Sequence, residues 1–115
     1  MLKVSSRIVD GVAIADLNGR ITLGENSALL RETVRGLLGE GRKKILLNLA
    51  GVTHIDSCGL GELVSAYTSV RRQSGELKLL NLTAQVEGLL QITKLCTIFD
   101  TAEEERAAVA SFGKA

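Results

Sequence analysis

Two short, almost unbroken apolar runs constrain this chain more than any other feature: Lys44-Ile45-Leu46-Leu47-Asn48-Leu49 and Leu77-Lys78-Leu79-Leu80-Asn81-Leu82. Neither alternates cleanly between apolar and polar residues, which is the habit of strands covered on both faces in a parallel sheet. Parallel neighbours need a crossover. The segment between the runs has the period of one helix, with Leu60, Leu63, Val64, Tyr67 and Val70 on its buried stripe and Ser74-Gly75 as its stop. That unit, strand then helix then strand, predicts an α/β architecture.

The flanks extend it. Leu2–Asp10 and Val12–Leu17 read as strands around Asp10-Gly11, a dipeptide that tolerates the positive φ of a tight hairpin. Asn18-Gly19 predicts a second turn before a short strand at Arg20-Ile21-Thr22. From Glu25 the period becomes helical, with Leu30, Val34, Leu37 and Leu38 on one face and Gly39-Glu40-Gly41 closing the helix. Thr83 is placed to cap a third helix with Val86, Leu89, Leu90 and Thr93 facing inward. Thr97–Asp100 reads as a last short strand, and Thr101-Ala102-Glu103-Glu104 has the form of a capping box opening a fourth helix. The expectation is one domain over residues 1–115. It is a mixed, mainly parallel sheet of about four to five strands after an N-terminal hairpin, packed by about four helices. Proline is absent, and 12 glycines punctuate the chain without any linker-like stretch.

Charge and composition narrow the function. Lys and Arg number 14 and Asp and Glu 13, a net charge of +1 that supplies no field for nucleic acid or an anionic membrane. Aromatic residues are 3% of the chain, too few for base-stacking platforms. Two cysteines, Cys58 and Cys96, and one histidine, His54, make neither a disulfide framework nor a zinc set. With no apolar run of membrane-spanning length and no signal core at the N-terminus, the expected location is the cytoplasm.

One stretch departs from the regular pattern: Gly51-Val52-Thr53-His54-Ile55-Asp56-Ser57-Cys58-Gly59-Leu60-Gly61-Glu62. It comes after the first apolar run and opens the second helix, at the strand end where open α/β sheets gather their sites. Asp56 or Ser57 can cap that helix. The same helix start suits an anion or a phosphate added to a side chain. A nucleotide loop lacks its motif, since there is no G-x-x-x-x-G-K-[ST] and Gly59-x-Gly61 has no third glycine. Ser57 is not in G-x-S-x-G, and His54 is poorly placed to act on it from the same turn. A redox role for Cys58 would need a thiolate, which the adjacent acid Asp56 disfavours, and no resolving cysteine is near in sequence.

Ile55-Asp56-Ser57-Cys58-Gly59-Leu60-Gly61, placed after a strand and before a helix, resembles the phosphorylation-site motif of STAS domains, and more narrowly of anti-sigma factor antagonists. The likeness runs over nearly the whole chain: the opening hairpin, Leu17-Asn18-Gly19-Arg20-Ile21, the Leu77–Leu82 strand and the helix from Thr83 fall where that family has them. Two positions depart from it. Thr22 stands where many members carry an acid, the nearest here being Glu25, and Cys58 stands where Ser or Ala is commoner.

The resemblance implies a non-enzymatic binding protein. In the unmodified state it would bind an anti-sigma factor that is also a GHKL-type serine kinase. Phosphorylation of Ser57 would release it, and a metal-dependent serine phosphatase would restore it. ATP and magnesium would belong to the kinase, and the chain itself would need no cofactor and no metal. Asp56, Cys58, Gly59, Leu60, Gly61 and Glu62, joined by Thr22 and Leu23, would form the partner-binding surface. Leu23 has two readings, an exposed apolar anchor or a core leucine under the first helix. The N–H groups of Gly59 and Leu60 are expected to steady the phosphate, and Gly59 and Gly61 to admit partner backbone. As an alternative, the domain would be a scaffold in a stress-signalling assembly or a lipid-transport ATPase complex, with Ser57 unmodified. Exposed edge strands would permit a weak dimer as well as a monomer. A small-molecule or nucleotide sensor and an enzyme using Ser57 or Cys58 as nucleophile are further readings, the last without a base.

Overall fold

The computed structural model describes residues 2–112; Met1 and residues 113–115 of the expected domain lie outside them. In chain order the elements are β1 (Leu2–Val9), β2 (Val12–Ile21), α1 (Glu25–Gly39), β3 (Lys44–Ile55), α2 (Ser57–Arg72), β4 (Glu76–Leu80), α3 (Ala84–Ile92), a 3-10 turn (Leu95–Thr97), β5 (Asp100–Ala102) and α4 (Glu105–Ser111). They build a mixed sheet in the order β1-β2-β3-β4-β5. β1 and β2 are antiparallel, and every later pair is parallel. Asp10 and Gly11 both have positive φ, 49° and 81°, as the hairpin requires.

The strand period sends alternate residues to opposite faces. Ala13, Ala15 and Leu17 of β2, Ile45, Leu47 and Leu49 of β3, and Leu77 and Leu79 of β4 point to one side. There they meet Leu30, Val34 and Leu37 of α1, Leu63, Ala66 and Val70 of α2, and Val86 and Leu90 of α3. Val12, Ile14, Leu46 and Leu80 point the other way, where Ala108 of α4 and Phe112 cover them. α1 ends as the glycines suggest: Gly41 takes φ 82° and the N–H of Arg42 returns to the Leu37 carbonyl at 2.9 Å. α2 closes in the same way, although its left-handed residue is Ser74, at φ 62°, with the Gly75 N–H reaching the Val70 carbonyl.

Several local expectations give way to tertiary pairing. Asn18-Gly19 does not end a strand; β2 continues through it to Ile21 because β3 is there to pair with. β3 likewise runs past Leu49 to Ile55. Two register shifts make room: between Asp16↔Asn48 and Ile21↔Ile55, β2 advances 5 residues while β3 advances 7. Thr97–Asp100 is not a strand. Lys94 turns left-handed at φ 61°, the 3-10 turn comes next, and β5 begins at Asp100. Thr101 therefore pairs with Leu79 in the sheet and caps nothing; Glu104 precedes α4 without a side-chain cap. Thr93 is exposed at the end of α3, its hydroxyl spent on the Leu89 carbonyl at 2.8 Å.

Candidate functional site

β2 and β3 finish level with each other, Ile21 opposite Ile55, and both isoleucines are buried. The two strands leave the sheet by different routes. After β2 the loop Thr22-Leu23-Gly24 leads into α1; after β3 a single residue, Asp56, leads into α2. The Asp56 N–H donates to the Ile21 carbonyl at 3.3 Å, adding one rung beyond the ladder.

The Asp56 carboxylate joins the two connections. Its Oδ1 accepts from the Gly59 N–H at 2.8 Å, an N-cap bond within α2. Its Oδ2 accepts from the Leu23 N–H at 3.0 Å. These bonds, Gly59 first and Leu23 second, hold the carboxyl below its ordinary value. The Asp56 carbonyl also takes the Leu60 N–H at 2.9 Å. The N–H groups of Gly59 and Leu60, expected to be open to a phosphate, are thus already bonded to Asp56.

Ser57 is the first residue of α2 and is exposed, and its hydroxyl has no partner among the described residues. Cys58 is an exposed free thiol, and Gly61 is exposed with open space where a side chain would begin. The Cys96 and Glu25 side chains lie outside those described.

Leu23 is 74% exposed, so it is not a core leucine under α1. Its loop is steadied from below: the Thr22 carbonyl accepts from the Ser27 N–H at 3.1 Å, and Thr22 Oγ1 from Asn26 Nδ2 at 3.3 Å. Gly24 opens α1 at φ 101° with no side-chain cap. Half-buried Glu62 is held by Arg31 of α1 at 3.1 Å.

Two expected contact residues face inward. Leu60 is buried in the helix-side core, because the second helix turn must roof the ends of β2 and β3. Gly59 is buried too, and an added Cβ would lie 1.9 Å from the Ile21 carbonyl oxygen. Its lack of a side chain serves a close approach inside the chain, not the approach of a partner. His54 is exposed on β3, its Nδ1 3.2 Å from Thr53 Oγ1, and is not brought to Ser57. The sequence pattern gives no sign of Asn26 and Arg31, which support the two connections. Arg31 lies on the polar side of α1, and Asn26 is half-buried one turn before Leu30; no local pattern marks either for this task.

The result is a surface, not a cleft. Ser57, Cys58, Gly61 and Leu23 form its exposed part, and a cavity of about 560 Å³ at the start of α3, lined by Asn81, Thr83, Glu87 and Gln91 among others, does not include them. Among the described residues no His, Cys, Asp and Glu side chains gather as a metal site would require, and no helix is long and apolar enough to cross a membrane.

A family model described as STAS domain matches residues 3–108. The anti-sigma-B factor antagonist of Bacillus subtilis is 33% identical over 84 residues, 73% of this chain and 76% of that protein. The crystal structure of TM1081 from Thermotoga maritima superposes with a TM-score of 0.87 at 30% identity, covering 95% of this chain and 93% of that one. The anti-sigma factor antagonist SpoIIAA in its unphosphorylated form shares the fold at a TM-score of 0.71 and 14% identity, over 94% of each chain. Sheet order, strand-end geometry and these likenesses agree: the chain belongs to the STAS domain family, among the anti-sigma factor antagonists.

Proposed function

We propose that this chain works as one STAS unit that docks, through the surface around Ser57 and Leu23, onto an anti-sigma factor that is also a serine kinase. One observation carries this reading: the Ser57 hydroxyl is exposed and has no partner among the described residues, at the first position of α2 beside an exposed leucine on the neighbouring loop. A kinase can reach it without unfolding anything. In the reaction Ser57 Oγ bonds to the γ-phosphorus of ATP held with magnesium by the kinase, the hydroxyl proton leaves, and ADP departs. A serine phosphatase reverses the state by hydrolysis. The chain is substrate and docking surface in this cycle, which runs in the cytoplasm where sigma factors act.

The switch is electrostatic. A phosphoserine adds about −1.5 to −2 charges and three acceptor oxygens. Here they arrive next to the Asp56 carboxylate, and the N–H groups of Gly59 and Leu60 are already bonded to Asp56. Burying that cluster against a partner shaped for a hydroxyl costs on the order of several kcal/mol. Each ~1.4 kcal/mol is a tenfold change in affinity.

The test starts from a pull-down with the unmodified protein, which recovers the kinase. Incubation with that kinase and ATP places phosphate on Ser57, read by mass spectrometry. Ser57→Asp weakens kinase binding by at least about tenfold, and Ser57→Ala binds constitutively. Wild-type affinity in Ser57→Asp would rule out the charge gate.

A further inference from the structure

We propose that Asp56 is a positioning residue that carries the charge state of Ser57 across to Leu23. The inference rests on the proposed docking role, and adds where a partner would sense the modification. One carboxylate makes two bonds that differ in kind. The bond to the Gly59 N–H at 2.8 Å closes within one helix turn and is partly buried. The bond to the Leu23 N–H at 3.0 Å spans 33 positions of sequence, is exposed, and ties a loop. Leu23 donates there to the oxygen that Gly59 leaves free, so this bond fixes the anchor's backbone relative to the start of α2.

A phosphate on Ser57 stands one residue from that carboxylate. Like charges at such a separation repel, and the phosphate oxygens compete for the donors at the helix start. The helix-cap bond is short, local and partly buried, so the exposed bond to Leu23 gives way first. Leu23, 74% exposed, then loses the restraint that presents it. The partner meets a changed apolar anchor as well as a new charge, and docking loses a pre-ordered contact.

Asp56→Asn separates the two bonds. Asparagine is as good an N-cap as aspartate, but the two N–H groups meet different oxygens of Asp56, and asparagine puts an NH2 in place of one of them. The experiment uses the full chain with phosphoserine incorporated at position 57 during synthesis, so no kinase is involved. Amide hydrogen exchange by NMR is read at Leu23 and Gly59. In the wild-type background phosphoserine speeds Leu23 exchange about tenfold or more, the worth of one charge-assisted hydrogen bond, and Gly59 stays protected. In Asp56→Asn, Leu23 exchanges fast from the start and phosphoserine adds nothing. Unchanged Leu23 exchange in the phosphorylated wild-type background overturns the proposal, as does an undiminished phosphate effect in Asp56→Asn. Should that variant not fold, the Leu23 amide proton shift decides: it lies downfield while the N–H donates to the carboxylate, and no upfield movement on phosphorylation overturns the proposal. A kinase that ignored Ser57 would sink the docking role and leave this coupling intact.

Discussion

The two faces of the sheet are secured by different means. Three helices cover one face, and side chains such as Leu30, Leu47, Leu63 and Leu79 are fully buried there. Among the described residues the other face carries only α4, which buries Ala108 and, just beyond its end, Phe112 against Val12, Ile14, Leu46 and Leu80. Polar contacts hold α4 at both ends. Arg7 of β1 forks between Asp16 of β2 and Glu105 at the start of α4, with Nη1 to Oε2 at 2.9 Å and Nε to Oδ2 at 2.8 Å. Asp16 is braced in turn by Asn48 Nδ2 at 2.7 Å. At the far end Lys78 donates to the Ser111 carbonyl at 2.8 Å and lies 5.0 Å above the Phe112 ring. Burial of the first kind scales with apolar area and is not weakened by charge screening; exposed charge contacts are weaker and are screened. The contrast predicts that α4, with its smaller apolar cluster, opens more readily than the three-helix face.

Breaking the first face has the largest effect. Leu63→Ala empties a fully buried site and is expected to lower stability by about 2–5 kcal/mol, measured as a shift in the urea midpoint and felt by amides throughout the sheet. Next comes Gly59→Ala, whose new Cβ meets the Ile21 carbonyl oxygen at 1.9 Å. It is expected to cost about 1–3 kcal/mol as an overpacked contact and to spread the two connections apart. A fully stable Gly59→Ala protein with unmoved Leu23 and Ser57 amides would break the claim that this contact sets the site.

The smallest effects belong to α4. Arg7→Ala is expected to cost at most about 1 kcal/mol, because the pairs it breaks are 24–40% exposed. Its signature is local: faster exchange of α4 amides with the β3 amides unchanged. Acid sharpens the same comparison. Arg7, first among the causes, lowers the pKa of both Asp16 and Glu105, and Asn48 adds to the effect at Asp16. A depressed folded value gives stabilisation that is present above the ordinary carboxylate range near pH ~4. It is lost as pH falls through the folded values. The wild-type α4 exchange rates should therefore approach those of Arg7→Ala between neutral pH and strong acid, and raising salt should act in the same direction.

Legibility in the sequence divides along the same line. The helix-side core is readable from period alone, because Leu30, Val34, Leu37 and Leu38 answer to one helix and Ile45, Leu47 and Leu49 to one strand. Asp10-Gly11 announces its hairpin for a steric reason that local sequence contains. Thr101-Ala102-Glu103-Glu104 misleads, since its local preference loses to pairing with β4, which no neighbouring residue reports. At the site the motif around Ser57 is conspicuous, and so is the strand end that presents it. Its internal wiring is not. That Gly59 yields space to Ile21 and that Asp56 reaches Leu23 both depend on residues more than thirty positions apart in the chain, whereas the inward turn of Leu60 follows from the helix period.

The two extra residues that β3 carries relative to β2 make this segment sensitive to length in a way it is not to composition. Side chains alternate with a period of two, so removing one residue between Asn48 and Ile55 would turn Ile55 out of the core and swing Asp56 to the wrong side of the pleat. Removing both would restore the alternation but force a straighter strand under Gly51 and Asn18, whose side chain now occupies the space above that glycine. Insertions and deletions here should therefore be tolerated, if at all, in pairs, while single substitutions at exposed Thr53 and His54 pass with little cost.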